Sequence, residues 1–180
     1  MLDTQSDFAR RKRLALNSYQ NIKPALEDKN LSLGVKLRIL NALVSSIFLY
    51  NAEIWTLTKT LSDKVDRFQR RLLRYVINVK YPQKISNTDL YEKTRETPWS
   101  EIIRTRRMSW FGHLARLPTN TPARRALEEY LNTATKKPRG GQRFTWIKQM
   151  TIDLGRANLT INQALDQAQD RALWRGLKRL

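Results

Sequence analysis

The 180-residue chain carries 34 Lys and Arg against 16 Asp and Glu, a formal net charge of +18, with 41% hydrophobic residues, no Cys and a single His. Self-repulsion of this size destabilises a compact state in isolation, and a phosphate backbone that releases its counterions is the usual compensation. Without Cys there are no disulfides, thiol nucleophiles or Cys-containing zinc sites, and one His leaves no imidazole cluster for a catalytic metal, so no cofactor is expected.

The apolar share suffices for a packed core in one domain or two small lobes. Asp3 and Asp7 precede the basic run Arg10, Arg11, Lys12 and Arg13, so no secretory signal is expected. The longest apolar run, residues 39–50, is too short to cross a bilayer and is interrupted by Asn41, Ser45 and Ser46, so no membrane partner is expected.

Six Gly and six Pro punctuate segments of helical periodicity, which predicts an all-α fold. The first helix spans about residues 4–21, with Phe8, Ala15, Tyr19 and Ile22 on one side, and Pro24 restarts it as a short turn. Ser32 caps a second helix running to about Tyr50, whose apolar residues Leu37, Leu40, Leu43, Val44, Ile47 and Phe48 wrap far around it and place it centrally. A third helix, about residues 62–78, puts Val65, Phe68, Leu72 and Val76 on its buried side. Lys64, Arg67, Arg71 and Arg74 form a stripe along another side. Like charges at that spacing repel, and an external anion would relieve them; a solvated face whose alkyl stems cover core atoms is the simpler alternative.

Ser86 and Asp89 open a short helix with a capping-box pattern. Thr97 and Pro98 open the next, on which Trp99, Ile102, Ile103, Trp110, Leu114 and Leu117 define an apolar side, with Arg104, Arg106 and Arg107 lying away from it. Trp110 is therefore expected to pack. Gly112 lowers helix stability by about 1 kcal/mol relative to Ala, so it is expected to allow close packing against another backbone. His113 has no second His, Cys or nearby acid in sequence, and is expected to be a buried packing residue, with a nucleic-acid contact as the alternative. Thr121 and Pro122 open a further helix, and Lys136, Lys137, Arg139 and Arg143 lie in a Gly- and Pro-containing loop able to mould to phosphates. A helix near residues 144–154 follows, and Thr160 with Gln163 caps a last helix over about 161–178. Between residues 102 and 152, Glu128 and Glu129 are the only acids among eleven Lys and Arg.

Several short patterns occur in a fixed order. An apolar helix runs into Leu49-Tyr50-Asn51-Ala52-Glu53-Ile54-Trp55; a basic helix carries Phe68, Arg70, Arg71, Leu73 and Arg74. Arg106, Arg107, Trp110, Gly112, His113 and Arg116 form an Arg-Arg-x-x-Trp-x-Gly-His-x-x-Arg pattern. Arg139-Gly140-Gly141 precedes Trp146, and Asp170, Arg171, Trp174 and Arg175 close the series. In this order the chain resembles the region downstream of the catalytic palm in reverse transcriptases of non-LTR (LINE-type) retrotransposons. Asn51 stands where that family usually has Gly, and Gly141 where it has Pro.

The resemblance implies a helical thumb bundle over residues 1–80 followed by a basic helical C-terminal lobe over residues 81–180. It implies no catalytic or metal-binding residue, because the polymerase aspartates belong to the palm and no Tyr-x-Asp-Asp occurs here. The implied function is a noncatalytic grip on template-primer duplex or on target DNA or RNA during target-primed reverse transcription. Lys64, Arg67, Arg70, Arg71 and Arg74 are the candidate contacts in the thumb. Arg104, Arg106, Arg107, Lys136, Lys137, Arg139 and Arg143 are the candidates in the distal lobe. The expected partners are RNA, DNA or their hybrid and the upstream palm and fingers, in the nucleus and cytoplasm; the run at Arg10 to Arg13 fits nuclear import. The alternatives are a scaffold module docked on the polymerase core and a standalone domesticated nucleic-acid binder.

Overall fold

The computed structural model describes residues 3–132 and 144–177. Helices and no strand occur among them, an all-α fold. The chain divides into two compact units, residues 1–103 and 104–180. By packing, residues 81–103 therefore group with the first unit, and the division falls inside a helix instead of at the expected boundary near residue 80.

In the first unit, α1 (Thr4–Glu27) runs through Pro24 without stopping. Proline removes one donor to the carbonyl of Gln20, and residue 20 faces solvent, where water can replace the lost bond. The expected second helix is α2 (Leu33–Leu40), a π turn (Asn41–Ser45) and α3 (Ser46–Phe48), capped by Ser32 accepting from the Val35 amide. The wider turn rotates Leu43 into solvent, contrary to expectation, while Leu40, Val44 and Phe48 stay buried. Ser18 Oγ donates to the Leu43 carbonyl at 2.7 Å.

Asn51 follows at φ 57, ψ 23, a left-handed conformation that glycine adopts most cheaply and that Asn tolerates among L-residues. Helix α4 (Lys59–Val76) starts earlier than its periodicity suggests because Thr58 caps it, accepting from the Leu61 amide at 3.3 Å. Phe48 lies 5.7 Å from Trp55, 5.2 Å from Phe68 and 4.6 Å from Trp99, with Phe8 5.8 Å away. These rings centre the first core. Helix α5 (Asn87–Thr94), with Ser86 accepting from the Asp89 amide, closes one side.

Helix α6 (Trp99–Ala115) begins in the first unit and ends in the second. Its start is tied to α4 by two polar side chains. Asp66 accepts from the Ser100 amide at 2.9 Å and from Ser100 Oγ at 2.7 Å, placing a carboxylate at a helix N-terminus. Buried Gln69 accepts from the Trp99 amide at 2.8 Å and donates to the Thr97 carbonyl at 2.8 Å.

The second unit assembles α7 (Pro122–Asn132), α8 (Trp146–Gly155), α9 (Ile161–Gln167) and α10 (Arg171–Leu177) with the end of α6. Thr160 and Gln163 make the expected capping box. The single last helix expected is two, since Asp170 Oδ1 accepts from the Ala172 and Leu173 amides at 2.7 and 3.1 Å and starts α10. Met108, Phe111, Met150, Leu154, Ala164 and Trp174 form the second core.

Candidate nucleic-acid interface

Helix α4 separates its residues by face as its sequence predicts. Val65, Phe68, Leu72 and Val76 are buried, while Lys64, Arg67 and Arg71 are exposed on the opposite side. Arg71 is braced, its Nε donating to Tyr75 Oη at 2.7 Å and its guanidinium lying 5.5 Å over the same ring. Tyr75 in turn stacks on Tyr19 at 5.8 Å. Burial pushes the Tyr19 phenol above its usual range, with Glu27 adding to it, so it stays neutral.

Two other candidate cations of α4, Arg74 of the stripe and Arg70 beside it, turn toward the protein. Arg74 Nη2 donates to Asn87 Oδ1 at 2.8 Å and to the Ile85 carbonyl at 3.4 Å, tying α4 to the segment that starts α5. Arg70 is half-buried beside the Tyr91 hydroxyl, which donates to Gln69 Oε1 at 3.2 Å and whose pKa is raised chiefly by burial and pulled back by this guanidinium. The solvent-facing part of the stripe is therefore Lys64, Arg67 and Arg71, with exposed Asp63 one turn before Arg67.

Sequence reasoning missed a neighbour. Lys12 Nζ lies 5.6 Å over the Phe68 ring, and Tyr19, seven residues on, meets Tyr75, seven residues after Phe68. Helices α1 and α4 thus run in the same direction at this seam. The shared spacing of seven was the available signal, but nothing in the sequence pairs the two helices.

The signature helix corrects the face assignment. Arg104 and Arg107 are 6% and 1% exposed, and Trp110 is 40% exposed. Arg107 Nε donates to Asp153 Oδ2 of α8 at 2.6 Å, and Gln149 Nε2 donates to Asp153 Oδ1 at 3.2 Å, so the charge is paired inside the second core. A buried guanidinium is out of a phosphate's reach, and that of Arg107 is also paired with a carboxylate, so Arg104 and Arg107 leave the set of surface contacts. Arg106 remains exposed.

Gly112 and Arg116 of the signature are also structural. A Cβ at position 112 would run into the indole of Trp174, whose Nε1 donates to the Met108 carbonyl at 2.9 Å. Gly112 thus admits a side chain of α10 where another backbone was expected. Arg116 Nη1 donates to the Ala168 carbonyl at 2.5 Å, and burial, with Arg171 adding to it, lowers its pKa. Arg124 Nη1 and Gln169 Nε2 cap the Ala115 carbonyl at 2.8 and 3.0 Å. His113, expected to be buried, is exposed, its ring 5.3 Å from that of Trp110. Lys136, Lys137, Arg139 and Arg143 lie outside the described residues.

Among the described residues no group of three or more His, Cys, Asp or Glu is placed to hold a metal ion, and no helix is long and apolar enough to cross a membrane. No family model matches the chain, and no solved structure matches it. The chain is similar to an uncharacterized transposon-derived protein of Caenorhabditis elegans, 24% identical over 106 residues. The match takes in 57% of this chain and 37% of that protein, so the chain spans well under half the length of its relative.

Proposed function

We propose that the chain is a noncatalytic nucleic-acid-binding segment of a LINE-type reverse transcriptase, gripping template-primer duplex or target nucleic acid beside a polymerase core. The exposed row Lys64, Arg67 and Arg71 on α4 carries this reading, because it rises along one face of a helix whose opposite face is fixed in the core. Cations on a rigid helix keep their spacing, and contacts to phosphates read backbone shape with little base preference. The net charge of +18 and the similarity to a transposon-derived protein support the same reading. Chemistry at the primer terminus would belong to aspartates of a palm that this chain does not include.

Titrating the chain against duplex DNA and RNA-DNA hybrid over a range of KCl concentrations tests the proposal. Log affinity should fall linearly with log salt, by about 0.9 per phosphate contact on B-DNA. A flat dependence points to apolar docking on a protein and rejects it. Primer extension with magnesium or manganese should give no product above a heat-killed control, and turnover rejects the noncatalytic part.

A further inference from the structure

Helix α6 is almost completely enclosed, and its solvent-facing strip is unusual in kind. Among its seventeen residues only Arg106, Trp110 and His113 are exposed, at intervals of four and three, so they lie in one line. A helix face left to water is normally filled with Lys, Glu or small polar residues, because exposed indole forfeits the hydrophobic gain of burial. Here two of the three positions are aromatic, with ring centroids 5.3 Å apart and planes inclined by 33°.

The remaining signature residues have identifiable structural work, since Arg107 pairs with Asp153, Gly112 admits Trp174 and Arg116 holds the Ala168 carbonyl. Trp110 and His113 have no comparable place in the core. Of the five Trp, Trp55, Trp99 and Trp174 are buried and Trp146 is partly so, which leaves Trp110 as the exposed one. The half of the chain that holds the strip is the more cationic in sequence, since residues 104–180 carry sixteen Lys and Arg against five Asp and Glu, whereas residues 1–103 carry eighteen against eleven.

We infer that Trp110 and His113 form a stacking platform for an unpaired base of single-stranded RNA or DNA, with Arg106 supplying positive charge at one end. A base offers a π-face to the indole, and its phosphates are drawn by the excess of cations; base pairs in a duplex are already stacked and cannot reach the platform. The inference rests on the nucleic-acid-binding reading above but uses a different helix and a different form of the ligand. The second unit would hold a single strand while α4 follows duplex.

Fluorescence anisotropy of the full chain with labelled oligothymidylate and with a labelled duplex separates the possibilities. Trp110→Ala should weaken single-strand binding about tenfold or more, leave duplex binding within twofold, and leave the melting temperature near that of the wild type. Trp110→Phe should restore most of the loss, Trp110→Leu little of it, and His113→Ala should act in the same direction as Trp110→Ala. Oligothymidylate should quench tryptophan fluorescence in the wild type and much less in Trp110→Phe. Early melting of Trp110→Ala with equal loss on both probes would make Trp110 a packing residue and overturn the inference. Unchanged binding of both probes by a stable Trp110→Ala protein would overturn it too, leaving the strip to a protein partner. A wild-type chain that binds neither probe would reject the broader reading as well, whereas a selective failure on the single strand rejects this one alone.

Discussion

Helices α4 and α6 are similar in composition and opposite in use. Both carry arginines at helical spacing beside aromatic and aliphatic residues, yet Lys64, Arg67 and Arg71 of α4 face water while Arg104 and Arg107 of α6 are buried. What separates them is the partner each helix meets. Helix α4 has one apolar face and leaves its other side open; α6 is surrounded, and α8 offers Asp153 to Arg107 at 2.6 Å. Desolvating a guanidinium and a carboxylate is expensive unless they meet each other and further hydrogen bonds support the pair, and Gln149 donates to the second oxygen of Asp153. A row of arginines is therefore no evidence of a binding surface until the far side of the helix is known.

Breaking the buried pair should have the largest effect. Arg107→Ala leaves the Asp153 carboxyl in the core without its ion-pair partner and should cost about 3 to 5 kcal/mol, as should Asp153→Ala, measured by urea denaturation. Replacing both with Met and Leu should recover most of the loss. A stable Arg107→Ala protein with weakened nucleic-acid binding would instead return Arg107 to the surface and erase the contrast between the helices.

Gly112→Ala should come next, at up to about 2 kcal/mol net, because overpacking against the pinned indole of Trp174 outweighs the gain of about 1 kcal/mol that Ala brings to a helix. A thermal melt decides the sign, and a stabilised variant would show that Trp174 can move aside. Thr58→Ala should cost about 1 kcal/mol by removing the cap of α4, without changing which face is exposed. An unchanged melt there would mean that the helix start is held by packing alone.

Local chemistry made much of this legible in the sequence. The all-α class, the caps at Ser32, Ser86 and Thr160, and the buried side of α4 each depend on residues within a few positions of one another. The faces of α6 were not legible because a helix enclosed on most sides has no single apolar stripe, and its buried residues include Met108, Phe111 and two arginines. The decisive partner, Asp153, lies 46 residues away from Arg107 and immediately beyond the stretch that reads as nearly free of acid. Gly112 pointed to a close approach but not to Trp174, and Leu43 moved into solvent through a π turn that no residue pattern marks. Asn51 is intermediate: Asn is among the residues that tolerate the left-handed region, and its φ of 57 shows that the backbone there demands it.

The central claim, that α4 presents cations to a phosphate backbone while α6 keeps Arg104 and Arg107 for the fold, is tested most directly by one salt titration. Lys64, Arg67 and Arg71 are changed together to Gln, and duplex binding is followed against KCl beside the wild type. All three side chains are exposed, so melting should shift little, as for surface changes within about 0.5 kcal/mol each. Affinity should fall about equally for unrelated sequences, and the slope of log affinity against log salt should decrease by roughly 0.9 for each phosphate that is no longer neutralised. A variant with wild-type affinity and slope, folded by circular dichroism, would contradict the account and make the α4 stripe a solvated face.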